Sequence, residues 1–268
     1  MQKLIFILGA FKRSGTNYLR DLLSYHPLCE KSPVPEDFLL ANSDLLVKYI
    51  EQTGVQWGMA GKPQRHKIRS FLRDSLHNIL TAGTTAPYIV CKTPSVEGIE
   101  NIDELFPDSK VLTIVRDGRD TLESGRRSFG WLLPERAAQW RSNVERLVRF
   151  EKKQPGRSMR VHYEDLVAGM HSTMNSVLFH CGLPAHQYDW ELAIQAPVRG
   201  SSDLKHRGGK AAMMHWHGEP RTDDFAPIGR YAETWTRQDH HDFQTIAGSA
   251  QTLLGYQGDT LLRRESHS

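Results

Sequence analysis

LIFILGAFKRSGTNYL, residues Leu4–Leu19, is the stretch that decides the fold of this chain. Its five leading apolar residues predict a short buried strand, and a loop with two glycines, two cations and small polar side chains follows at once. Leu19, Leu22 and Leu23 then recur at the spacing of one helix face. A strand, a glycine loop and a helix form a layout that binds anions, because backbone N–H groups and the helix dipole converge on the loop. An ordinary βα turn with solvated charges is the less favoured alternative, because basic and hydroxyl residues crowd around Gly15.

Length and composition indicate a globular protein that is not specialised for nucleic acid. The chain has 268 residues, of which 39% are hydrophobic and 24% charged, which is enough for a sizeable core in one domain. The formal net charge of +3 is too balanced to indicate nucleic-acid binding, but it suits a basic pocket for a small polyanion.

Cysteine usage and hydropathy predict a cytoplasmic protein. Cys29, Cys91 and Cys181 are widely spaced, without a metal-binding pattern, and we expect buried, reduced thiols. No apolar run approaches the roughly 20 residues of a membrane span, so we expect no stable membrane insertion. The short apolar run at the start leads into Lys12-Arg13 without a cleavage site, which favours a strand over a signal peptide.

Strands alternate with helices along the chain, which predicts βαβ units and a parallel sheet. Apolar runs predict further strands at 88–92, 110–115 and 159–163. In such sheets ligands bind beyond the carboxyl ends of the strands, where the loops that carry Arg13 and Arg116 emerge.

Two segments depart from this alternation. A helical insertion is expected at about 39–82, where a helix from about Pro63 to Leu80 has Phe71 and Ile79 on its apolar side and its arginines in solvent. A basic, glycine-rich segment at about 197–235 has little hydrophobic periodicity, which is typical of a lid or binding loop.

Three motifs, met in the same order along the chain, carry a specific resemblance. KRSGTN, residues 12–17, resembles the 5′-phosphosulfate loop of the sulfotransferases that use 3′-phosphoadenosine 5′-phosphosulfate (PAPS). Arg116, followed eight residues later by Ser124, resembles their 3′-phosphate element, and RVHYEDL at 160–166 is similar to a strand motif of many members. The resemblance implies a P-loop NTPase-like parallel sheet flanked by helices, in a single sulfotransferase domain over 1–268.

The resemblance also implies a set of PAPS-binding residues. Around the 5′-phosphosulfate these are Lys12, Arg13, Ser14, Gly15, Thr16 and Asn17, and at the 3′-phosphate they are Arg116 and Ser124. Looser matches in the glycine-rich segment, which resembles the cofactor-closing region of the family, add Arg199, Ser202 and Arg230. No metal ligand is implied.

Sulfuryl transfer in line to a hydroxyl, or less readily to an amine, needs a base and positive charge. Arg13 cannot give up a proton, so its expected role is electrostatic. Tyrosylprotein sulfotransferases place a glutamate after the first helix, and this resemblance makes Glu36 the expected base, with Asp37 and Glu30 as rivals. Lys92 resembles a Lys-x-Pro strand end of those relatives and is expected near the transferring group.

Two other functions share some of these features. A P-loop nucleotide kinase or NTPase needs Gly-x-x-x-x-Gly-Lys-Ser/Thr, but five residues separate Gly9 from Gly15 here, and Thr16-Asn17 stands where the lysine should be. A non-catalytic nucleotide-binding module would keep the same binding residues and differ only in turnover. The acceptor stays open between a small molecule, a glycosyl group and a peptide, and so does a homodimer.

Overall fold

A computed structural model of the chain describes residues 2–36, 39–56, 62–196 and 227–257. The expected contributions of Asp37, Arg199 and Ser202 lie outside these ranges.

Five parallel strands form one sheet in the described part of the chain. The strands are β1 (Lys3–Gly9), β2 (Cys29–Lys31), β3 (Tyr88–Thr93), β4 (Lys110–Val115) and β5 (Ser158–His162). Their order across the sheet is β2-β3-β1-β4-β5, with Ile7 of β1 opposite Lys92 and Gly9 opposite Ile114. The carboxyl ends of the strands therefore meet at one edge, and the predicted parallel sheet is confirmed.

Alternate residues of β1 pack into two cores, one on each face of the sheet. Leu4, Phe6 and Leu8 belong to one core, and Ile5 and Ile7 belong to the other. Burial on both faces explains the unbroken apolar run that the sequence shows there. All three cysteines are buried and free, as predicted.

Helices cover both faces of the sheet. They are α1 (Thr16–Leu23), α2 (Ser43–Gln56), α3 (Lys62–Thr81), α4 (Ile102–Leu105), α5 (Gly118–Phe129), α6 (Leu133–Lys153), α7 (Tyr163–Ala168), α8 (Met170–Cys181), α9 (Trp190–Gln195) and α10 (Arg237–Leu253). Helices α1 and α8 supply one core, whereas α6 and α10 supply the other. Among the helices described, none combines the length and the apolar character needed to cross a membrane.

The predicted apolar side of α3 is wrong in part. Leu76 and Leu80 on this side are buried, as predicted, but Phe71 is 70% exposed and Ile79 is 49% exposed. Its expected solvated side contacts α4, where Arg69 pairs with the Glu104 carboxylate and Arg73 donates to the Glu104 carbonyl. The helix is therefore held by polar contacts along a side that the sequence pattern assigned to water.

Candidate active site

The loop after β1 is closed by its own serine. The Ser14 hydroxyl donates to the carbonyl oxygen of Phe11 at 2.7 Å and accepts from the Phe11 N–H at 3.2 Å. The Ser14 N–H also donates to the Phe11 carbonyl oxygen, at 3.3 Å. These bonds use the donors of Ser14 within the loop, so this expected cofactor ligand shapes the loop in the structure.

Two residues of this loop adopt a left-handed backbone conformation. The φ angle of Arg13 is +77° and that of Gly15 is +98°. Arg13 is the one non-glycine residue in this conformation among the residues described, and strain of this kind is concentrated at functional sites. A Cβ atom on Gly15 would lie 2.4 Å from Cδ2 of Tyr163, so the loop has room for glycine alone.

The start of α1 faces this loop, and no side chain of the helix N-cap bonds to its backbone N–H groups. Gly15 is the N-cap and supplies no side-chain hydrogen bond, and the first turn has no acidic residue. The Asn17 Oδ1 atom is buried, with no hydrogen-bond partner in the described ranges. A helix start of this kind leaves N–H groups for an anion. Thr16 is buried at the first position of the helix, and Lys12 is exposed beside the loop.

Arg13 joins the two anion elements that the sequence analysis treated as separate. Its Nε donates to Oγ of Ser124 on α5 at 3.0 Å, and its guanidinium lies 5.7 Å from the centroid of the Phe129 ring. Arg116 donates to the carbonyl oxygen of Arg13 at 3.1 Å. The loop after β1 and the turn after β4 are therefore in direct contact.

Arg116 is buried at the carboxyl end of β4. One Nη atom bonds to the loop after β1, the other donates to the Pro227 carbonyl oxygen, and the guanidinium stacks 4.8 Å from the Tyr163 ring centroid. Its Nε is buried without a partner among the residues described. Within the described ranges, one donor of this cation thus has no acceptor.

The residues after Arg116 fasten the chain that follows the glycine-rich segment. Asp117 caps α5, which begins at Gly118, and pairs with Arg119 at 2.6 Å. Asp120 accepts from the N–H groups of Gly229, at 2.7 Å, and Tyr231. Burial raises the pKa of the Asp120 carboxyl, which the charge of Arg116 partly offsets.

This contact fixes one end of the segment that carries Arg230. That residue lies, partly buried, in the short turn Arg230–Glu233. Trp235 donates to the buried carboxylate of Glu123 at 3.2 Å and packs in the core, so its contacts are structural.

Lys92 and Glu36 form a buried ion pair at the same edge of the sheet. The Lys92 Nζ lies 2.7 Å from Oε1 of Glu36, and the two side chains are 0% and 14% exposed. Burial lowers the pKa of the Lys92 ammonium to about 8, although its hydrogen bond with Glu36 opposes the shift. Two residues that were selected separately from the sequence therefore meet in the structure.

Helix α1 holds the segment that carries Glu36. Arg20 donates to the carbonyl oxygen of Pro35 at 3.1 Å, and Asp21 pairs with Lys31 at 2.7 Å. Both contacts fix the chain between β2 and Glu36. The helix that starts at the anion loop thus also positions the carboxylate.

Glu30, the rival of Glu36 that the structure describes, lies elsewhere. It accepts from the N–H groups of Thr85 and Ala86, just before β3 and thus at the opposite edge of the sheet. The ring of His26 accepts from the Leu28 N–H and contacts the Pro184 carbonyl oxygen. Neither side chain is near the Lys92–Glu36 pair.

The sequence analysis did not identify Tyr163 as a site residue. Its ring stacks on Arg116 and closes on Gly15, so it joins both anion elements. The signal was present in the sequence, because Tyr163 is the tyrosine of the motif at 160–166.

Comparisons with known proteins agree with this geometry. The family model described as "Sulfotransferase family" matches residues 5–187. Protein-tyrosine sulfotransferase 1 of Homo sapiens is 28% identical over 132 residues, which cover 45% of this chain and 33% of that protein. Nodulation protein H of Rhizobium tropici is 24% identical over 239 residues, which cover 80% of this chain and 90% of that protein. The chain spans between about a third and about half of the length of the protein-tyrosine sulfotransferases that it matches.

Solved structures agree in fold. The sulfotransferase domain from the Synechococcus PCC 7002 olefin synthase has a TM-score of 0.60 at 18% identity and covers 96% of both chains. A mouse sulfotransferase complexed with PAP has a TM-score of 0.54 at 13% identity and covers 96% of this chain and 90% of that chain. Since the family model matches most of the chain, this protein belongs to the sulfotransferase family.

Proposed function

We propose that the chain transfers a sulfuryl group from PAPS to an acceptor hydroxyl, with Glu36 as general base. The buried Lys92–Glu36 ion pair carries this proposal. This pair places a carboxylate and an ammonium at the carboxyl edge of the sheet, where the loop that carries Arg13 also lies. A kinase of the P-loop type has no support from the family match.

Several features of the site suit a nucleotide with two phosphate positions. The start of α1 and Arg13 would hold the 5′-phosphosulfate, and Arg116, whose Nε has no acceptor among the described residues, would hold the 3′-phosphate. When bound, PAPS supplies an SO₃ group attached to a phosphate leaving group, and the PAP complex of a protein with this fold supports a donor of this class.

Glu36, Lys92 and Arg13 have different roles in in-line transfer. Glu36 accepts the proton of the acceptor hydroxyl, since a carboxylate held within hydrogen-bond reach is a suitable general base. Lys92 fixes the Glu36 carboxylate and adds positive charge beside it. Arg13 keeps its charge at any working pH, so it stabilises the negative charge that develops on the leaving oxygen.

The acceptor is a hydroxyl compound from one of three classes: a small molecule, a glycosyl group or a tyrosine-containing peptide. The names of the relatives support a peptide tyrosine among these, although the chain matches only part of those proteins. A non-catalytic binding module remains the second interpretation, because it would use the same cations.

Release of 3′,5′-ADP from PAPS in the presence of acceptor panels from these three classes tests the proposal. We expect turnover with one class, and Glu36→Gln should reduce kcat by about 10²–10⁴-fold because the base is lost. Glu30→Gln is the matched control, since it removes a carboxylate at the opposite edge of the sheet and should leave kcat unchanged. Tight binding of 3′,5′-ADP without turnover would favour the binding module, and wild-type turnover in Glu36→Gln would exclude Glu36 as the base.

A further inference from the structure

The backbone of the turn after β4 is held by side chains from distant parts of the chain. The Asp117 N–H donates to Oε1 of Glu164 at 2.9 Å, and the Gly118 N–H donates to Oε1 of Gln251 on α10 at 3.1 Å. Both N–H groups directly follow Arg116. These two acceptors hold the backbone from which Arg116 extends, and the Arg116 guanidinium adds its own bonds to the Arg13 and Pro227 carbonyl oxygens.

Glu164 is fixed in its turn by a tyrosine beyond α10. The Tyr256 hydroxyl donates to Oε2 of Glu164 at 2.6 Å, and Nδ1 of His162 lies 3.2 Å from the same hydroxyl. Burial raises the pKa of the Tyr256 phenol, so the hydroxyl remains a donor at working pH. Both carboxylate oxygens of Glu164 are thus engaged, one by the turn and one by Tyr256.

We propose that Tyr256 and Glu164 are positioning residues for recognition of the 3′-phosphate by Arg116. This inference rests on the proposed function. Without the Tyr256 hydroxyl, one oxygen of a largely buried carboxylate loses its partner, and Glu164 gains by turning toward water. The Asp117 N–H is then released, and Arg116 loses its fixed direction.

The effect should be largest at the 3′-phosphate. The loop after β1 is closed by Ser14 and Phe11 within the loop itself, and the turn after β4 adds one bond to it, from Arg116 to the Arg13 carbonyl oxygen, so we expect a smaller effect there. A ligand with a 5′-phosphate alone would contact that loop and not Arg116. The ratio of the two affinities therefore separates positioning of Arg116 from a general loss of structure.

Titration calorimetry of the full chain with 3′,5′-ADP and with 5′-AMP tests the inference. In Tyr256→Phe we expect the Kd for 3′,5′-ADP to rise roughly five- to tenfold, as for a lost hydrogen bond to a charged group, with the Kd for 5′-AMP within about twofold. Glu164→Gln keeps an acceptor for the Asp117 N–H and should retain most of the preference for 3′,5′-ADP.

Tyr188→Phe is the matched control. It removes a buried tyrosine hydroxyl, which donates to the Leu22 carbonyl oxygen at 2.8 Å, and it leaves the turn after β4 untouched. It should lower the melting temperature without changing the ratio of affinities. If the Kd values for 3′,5′-ADP and 5′-AMP rise equally in Tyr256→Phe, or if neither changes, the ratio of affinities is unchanged and the inference is overturned. A wild-type chain without preference for 3′,5′-ADP would instead contradict the proposed function itself.

Discussion

The loop after β1 and the turn after β4 each present an arginine at the same edge of the sheet, but they are held in different ways. The loop is closed by contacts between Ser14 and Phe11, three residues apart. The turn is held by Glu164 and Gln251, which lie 47 and 133 residues from their partners. The first anion element is therefore specified locally, whereas the second depends on the fold of the whole chain.

The largest expected effect separates the roles of the two arginines. Arg13→Ala should lower kcat by about 10²–10³-fold, because charge on the leaving oxygen loses its stabilising partner, while the fold is retained. Arg116→Ala should raise the Kd for 3′,5′-ADP by roughly 10–100-fold, with a smaller change in kcat at saturating PAPS. Steady-state kinetics measure kcat, and calorimetry measures the Kd for 3′,5′-ADP. Identical profiles for both variants would show that the two regions share one role.

A substitution at Gly15 tests how closely Tyr163 packs against the loop after β1. Gly15→Ala places a methyl group against the Tyr163 ring at a positive φ angle, and the free energy of unfolding should fall by about 2–4 kcal/mol. Gly130→Ala is the control, because Gly130 also has a positive φ angle but open space around its Cβ position. Urea unfolding of both variants measures the difference. Equal losses would mean that backbone strain, and not the closeness of Tyr163, requires glycine in the loop.

A smaller effect concerns the pH dependence of the Lys92–Glu36 pair, which lies at the same edge of the sheet as the two regions. The Lys92 pKa of about 8 in the fold lies below its ordinary value of 10.5, so the folded state releases this proton before the unfolded state does. Between these pH values the unfolded state binds more protons, and this group should make the free energy of unfolding rise with pH. Turnover should fall several-fold above pH 8, because the ammonium next to Glu36 is lost.

Lys92→Met provides the comparison, since it lacks the titrating group but has a similar length. Subtraction of its pH profiles from those of the wild type isolates the contribution of Lys92 to kcat and to urea stability. If the two proteins show parallel profiles between pH 7 and 10, Lys92 does not titrate in this range.

The difference between the two regions also explains what the sequence predicted. The loop after β1 was readable because its strand, glycines and helix face are contiguous. In the turn after β4, Arg119 pairs with Asp117, but Asp120 binds backbone more than 100 residues away. No local pattern encodes such a partner.

Strand β2 and the Lys92–Glu36 pair also depend on contacts between distant parts of the chain, which the sequence alone does not reveal. Strand β2 was missed because two of its three residues are charged, and its pairing with β3 alone defines it. Glu36 and Lys92 were each selected by resemblance, but their pairing joins positions 56 residues apart and required the fold.

Calorimetry of the wild-type chain with 3′,5′-ADP, 5′-AMP and ATP tests the central claim most directly. The site described here predicts that 3′,5′-ADP binds at least about tenfold more tightly than 5′-AMP, because Arg116 adds a charge-assisted contact to the 3′-phosphate. It also predicts that ATP binds weakly and without a requirement for Mg²⁺. Equal affinity for 3′,5′-ADP and 5′-AMP, or tight Mg²⁺-dependent binding of ATP, would contradict a site built for PAPS.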